Sequence, residues 1–74
     1  MADEIKLLDV VALSEDVPDR GLHKGQVGTV VEELTPEVFE VEFADNRGRP
    51  YAMAPLPGSK LIVLHYEPAG AERG

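Results

Sequence analysis

No cysteine and no tryptophan occur in this 74-residue chain, and two Phe and two Tyr supply all of its aromatic bulk. Without thiols there is neither a disulfide to staple the fold nor a thiolate to bind zinc, and a reducing cytoplasm is the expected compartment. Cationic charge is also scarce. Seven Lys plus Arg face fourteen Asp plus Glu, a net charge of −7, which opposes attraction to a phosphate backbone and argues against nucleic acid as the default partner. No run approaches the roughly 20 apolar residues that span a bilayer, and the opening Met1-Ala2-Asp3-Glu4 lacks the basic start of a secretory signal. No membrane association is expected. A domain this small buries only about 60% of the surface that its unfolded chain exposes, so stability must come from a compact core, from ladder hydrogen bonds or from homo-oligomer formation.

What is present is a series of short β-branched runs punctuated by turn residues. Gly25-Gln26-Val27-Gly28-Thr29-Val30-Val31 organises them. Its spacing predicts a strand entered through a tight turn at Gly25, with one point of close approach at Gly28. Residues 5–13 read as a first strand partly covered on its second face, with Asp9 as a solvent-facing charge. Residues 14–24, with Pro18 and Gly21, read as a long irregular loop pinned by Leu22. Residues 26–34 and 38–44 read as strands two and three, an antiparallel pair joined through Thr35-Pro36-Glu37, with Phe39, Val41 and Phe43 facing the core.

Asp45-Asn46-Arg47-Gly48 is a turn signal in which Gly48 supplies the permissive backbone. Strand four, residues 49–54, carries Pro50 and reads as an edge strand with Tyr51 and Met53 on one side. Residues 55–59 read as a break with a single 3₁₀ turn, and residues 60–66 as a last strand buried on both faces. The expected organisation is therefore a flexible lead-in at 1–4, a domain at 5–67 and a disordered tail at 68–74. The expected fold class is all-β, a small five-stranded SH3-like barrel with a long first loop.

Catalytic groups are sparse. Ser14 and Ser59 are the two serines, and neither stands in a nucleophile-elbow context. Carboxylates abound, yet paired-carboxylate catalysis needs a cleft that excludes water, and a barrel filled by its own side chains offers none. His23 and His65 are the sole imidazoles, too few for a zinc site without cysteine. The expectation is a non-enzyme with no cofactor and no metal.

Two charged groups remain. Glu32, Glu33, Glu37, Glu40 and Glu42 gather on strands two and three and their connection, and Asp16 and Asp19 lie in the first loop. Such acids ordinarily make a solubilising face, and the sharper reading is a docking surface for a basic protein partner. Opposite in sign, Arg47 and Arg49 flank Gly48, with Lys24 and Tyr51 available nearby, which is where a phosphate could be gripped and a base stacked.

Gly25 to Val31 resembles the glycine-bearing strand of KOW-type SH3-like domains in ribosomal proteins and transcription elongation factors, which implies RNA contact; here Glu32 and Glu33 follow that strand directly. Over residues 5–68 the chain resembles a family of very small bacterial proteins of unestablished function, through Leu8-Asp9-Val10-Val11-Ala12-Leu13, Gly21-Leu22, Gly25 to Val31, Val41-Glu42-Phe43, Tyr51-Ala52 and Leu64-His65-Tyr66-Glu67-Pro68. That resemblance implies the fold and a bacterial cytoplasmic origin. The first loop and second strand are also similar to the SH3-like domain of nitrile hydratase β subunits and their activators, which implies an accessory or chaperone role. The expected function is a protein-binding adaptor, the small partner of a two-component pair of antitoxin or enzyme-subunit-chaperone kind. The alternative is an RNA- or ribosome-associated module using Lys24, Arg47, Arg49 and Tyr51.

Overall fold

The computed structural model describes residues 4–65. Strands β1 (Val10–Leu13), β2 (Val27–Thr35), β3 (Val38–Ala44), β4 (Pro50–Pro57) and β5 (Leu61–Val63) form one antiparallel sheet in the order β4-β3-β2-β1-β5. Two 3₁₀ turns, Pro18–Arg20 and Gly58–Lys60, complete the elements, and no α-helix occurs among the described residues. The all-β, five-stranded expectation holds. The expected tail at 68–74 and most of the lead-in lie outside the described residues.

β4 and β5 are opposite edges of the sheet, yet only the turn Gly58–Lys60 separates them. From Pro57 to Leu61 the chain takes four Cα steps, about 15 Å at full stretch. Five flat strands would put their outer members roughly 19 Å apart. The sheet therefore curls until its edges approach, and its concave side becomes the core.

Phe39, Val41 and Phe43 face inward from β3, as their alternation requires, and join Val11, Leu13, Val30, Ala54, Leu56 and Leu61. The first loop completes this core. Val17 and Leu22 are both buried and pair their backbones in an isolated antiparallel bridge, with N–H···O distances of 2.9 and 3.2 Å. Each fully buried aliphatic or aromatic side chain here contributes about 1.5–3 kcal/mol. The 14–24 segment is thus pinned as expected, at Val17 as well as Leu22.

Elsewhere the strand bounds differ from expectation. β1 begins at Val10 because residues 6–9 form a turn: the Asp9 N–H donates to the Lys6 carbonyl at 3.0 Å, and the Lys6 N–H donates to Asp9 Oδ2 at 2.8 Å. Asp9 is a turn cap and not a strand charge. β4 runs through Pro57 instead of stopping before Pro55, because Pro55 and Pro57, opposite Glu40 and Val38, share a parity that turns both ring nitrogens away from β3. The 3₁₀ turn accordingly falls at Gly58–Lys60.

β4 is an edge strand, as its prolines foretold, but Tyr51 and Met53 do not share a side. A register shift at Phe43/Ala44 leaves Tyr51 unpaired and sets its ring 6.4 Å from that of inward Phe43, while Met53 stands opposite outward Glu42. β5 is also shorter than expected and is not buried on both faces: Ile62 is 51% exposed, because among the described residues nothing packs over the convex side of this edge.

Candidate partner-binding surface

The convex face of the sheet is built by register. Thr29 stands opposite Glu42 and Glu42 opposite Met53; Glu32 stands opposite Glu40 and Glu40 opposite Pro55. On the other side of β2, Val27 is opposite Ala12 and Ala12 opposite Ile62. The result is a surface with three carboxylates on β2 and β3, flanked by the half-exposed apolar side chains of Val27, Met53 and Ile62. No Lys or Arg occupies an outward position of the five strands. Glu32 and Glu40 face each other directly, a pairing of like charges that disfavours the fold. Among the described residues the salt bridge present joins Arg49 to Asp45, so no cation relieves either glutamate.

Glu33 lies elsewhere. The irregularity between Val30 and Glu32 gives β2 one extra residue, so Glu33 falls opposite inward Phe39 and projects from the concave side beyond the core. There it borders a groove of about 590 Å³ at the end of the β2–β3 hairpin, whose floor includes Ile5, Phe39 and Pro57 and whose rim carries Glu4 and Glu37 as well. Sequence reading did not single out Glu4 or Ile5 as a site. Glu37 belongs by sequence to the acidic group, and the structure sets it on this rim with Glu33, apart from Glu32, Glu40 and Glu42; nothing local announces that Ile5 folds back against Gly58.

The first-loop acids join neither group. Asp16 Oδ1 accepts a hydrogen bond from the Lys24 N–H at 2.8 Å and clasps the two ends of the loop, while Asp19 is exposed in the turn Pro18–Arg20. Gly25, with φ of 90°, donates its N–H to the Leu13 carbonyl at 2.8 Å and leads the chain into β2. Asp16 is thus occupied in holding the loop closed.

The cationic residues do gather at one end. Gln26 Nε2 donates to the Tyr51 hydroxyl at 3.0 Å, which places the Lys24–Gln26 turn beside the start of β4 and the Arg47/Arg49 turn. In that turn Gly48 has φ of 80°, and Asp45 Oδ1 accepts the N–H groups of Arg49 and Arg47, both at 2.9 Å. Those two bonds, with the Arg49 side chain 3.4 Å from Oδ2, hold the Asp45 carboxyl below its ordinary pKa. Half the cationic character of the turn is therefore spent locally. Among the described residues no group of three or more His, Cys, Asp or Glu is disposed to hold a metal ion, and no helix is long and apolar enough to cross a membrane.

A family model described as a domain of unknown function (DUF4926) matches residues 7–63, well over half of the chain. No curated protein and no solved structure gives a significant match.

Proposed function

The chain belongs to the family described as domain of unknown function DUF4926, and on that premise we propose that it is a non-enzymatic, protein-binding accessory module that docks a basic partner on its convex face. The observation that carries this reading is the unrelieved opposition of Glu32 and Glu40, with Glu42 one position along the same face. Like charges held together at a cost to stability, and bordered by exposed Val27 and Met53, make a surface that a cationic protein with an apolar centre would neutralise and cover. The curled sheet and the 3₁₀ turn before β5 support an SH3-like barrel, a scaffold that works by its surface. The reading extends to the small partner of a bacterial cytoplasmic two-component pair, of antitoxin or enzyme-subunit-chaperone kind.

The test is affinity capture from the native host at low salt with the parent and with Glu40→Lys plus Glu42→Lys. A specific protein retained by the parent and lost by the reversed variant supports the proposal. Equal retention, or none, removes it.

A second reading, an RNA-associated KOW-like module, is favoured by one observation, the Gln26–Tyr51 hydrogen bond that assembles Lys24, Arg47, Arg49 and Tyr51 at one end of the sheet. It requires RNA binding that weakens steeply with salt and disappears in Arg47→Ala plus Arg49→Ala. Titration with structured and single-stranded RNA at low salt, with no binding seen, ends it.

A further inference from the structure

The groove at the hairpin end is separate from the convex face and has a different construction. Its floor is apolar: Ile5 Cδ1 and Phe39 Cε2 converge on Gly58, where a β-carbon would meet them at 3.1 and 3.2 Å. Gly58 is further held by its N–H donating to the Glu37 carbonyl at 2.9 Å, which ties the 3₁₀ turn to the hairpin. The rim is acidic, with Glu4, Glu33 and Glu37, and among the described residues no Lys or Arg lines it. At about 590 Å³ it falls within the range of ordinary ligand clefts.

We propose that this groove receives a short extended segment of a partner protein in which an apolar side chain is flanked by lysine or arginine. The apolar residue lies on Ile5 and Phe39, and the flanking cations face Glu33 and Glu37. Charge selects this occupant over two others. A second copy of the chain brings a net charge of −7 to an acidic rim, and the chain's own C-terminal residues offer Glu67 and Glu72 against a single Arg73. Both have the wrong sign. The inference rests on the protein-binding reading above and adds to it a second contact on the opposite side of the sheet.

The experiment is a titration of the isotopically labelled full chain with a short capped peptide holding two leucines between lysines, followed by backbone amide shifts. Expected are shifts at Glu33, Glu37, Phe39 and Gly58 that saturate, weaken with added salt, and vanish for a peptide with glutamates in place of lysines. Serines in place of the leucines should also weaken binding, since the floor is apolar. Glu33→Lys plus Glu37→Lys, two exposed positions, should weaken binding roughly tenfold with the amide spectrum otherwise retained.

Shifts confined to Glu40 and Glu42 would overturn the groove while leaving the convex-face reading intact. No shifts with the lysine peptide, or equal shifts with the glutamate peptide, would likewise overturn the groove. Loss of host-protein capture by the Glu40/Glu42 variant bears on the convex face alone, so the two failures are separable.

Discussion

Gly28 leaves no room for a methyl group beside Val41: a β-carbon on Gly28 would stand 2.7 Å from Val41 Cγ1. It would also lie 2.8 Å from the Glu42 carbonyl oxygen, which belongs to a paired backbone and cannot step aside. Gly28 is not among the glycines of positive φ, which are Gly21, Gly25 and Gly48, so close packing and not backbone hand explains it. Gly28→Ala is therefore expected to cost about 1–3 kcal/mol, and Gly28→Val more. Denaturant midpoints for the two variants check this. An alanine variant as stable as the parent would show that β2 and β3 separate freely.

Replacing Glu32 by lysine turns a repulsive cross-strand pair into an attractive one. Glu32→Lys should raise stability by about 0.2–1 kcal/mol at low salt, with the gain shrinking as salt is added. Thermal melting at two salt concentrations measures it. A loss of stability at low salt would mean that the two side chains do not face each other in solution.

Asp45 gives the β3–β4 turn a dependence on pH. Its folded pKa is lowered, first by the Arg49 amide, then by the Arg47 amide, with the Arg49 side chain adding to both. The stability that its charge contributes is present above the unfolded aspartate pKa and is lost as pH falls through the lower folded value. Asp45→Asn should be less stable than the parent at neutral pH, and the gap should narrow in acid below the ordinary aspartate range. A gap that stays constant across that window would assign the effect to hydrogen bonding alone.

Leu8 has a φ of 72°, and the hydrogen bond from the Asp9 N–H to the Lys6 carbonyl makes it the third residue of a type II turn, a position that favours glycine. Its side chain is 70% exposed, so little burial offsets the strain. Leu8→Gly should stabilise the fold by up to about 1 kcal/mol, read from the denaturant midpoint. A fall in stability would show that Leu8 makes contacts worth more than its backbone strain.

The same residue shows where sequence reading reached its limit. Leu7-Leu8 looks like strand because both residues are apolar, and no glycine or asparagine announces the left-handed turn that begins the domain. Phe39, Val41 and Phe43 were legible because strict alternation on a half-buried strand leaves one solution. At Val31 the rule breaks: plain alternation from Gly28 and Val30 would turn Glu32 inward, and one extra residue returns it to face Glu40. The acidic convex face could be anticipated from the alternation in β3. The groove could not, because Ile5, Glu33 and Gly58 meet only after the sheet has curled.

Pro55 and Pro57 have a consequence beyond the length of β4. With their nitrogens turned outward, the rim of the sheet lacks two of the donors that an arriving foreign strand would need, and its carbonyls would go unanswered. The opposite rim, β5, is three residues long and offers too short a template. Crowded with its own kind, the molecule resists growth into stacked sheets, and whatever binds it must meet a face or a groove.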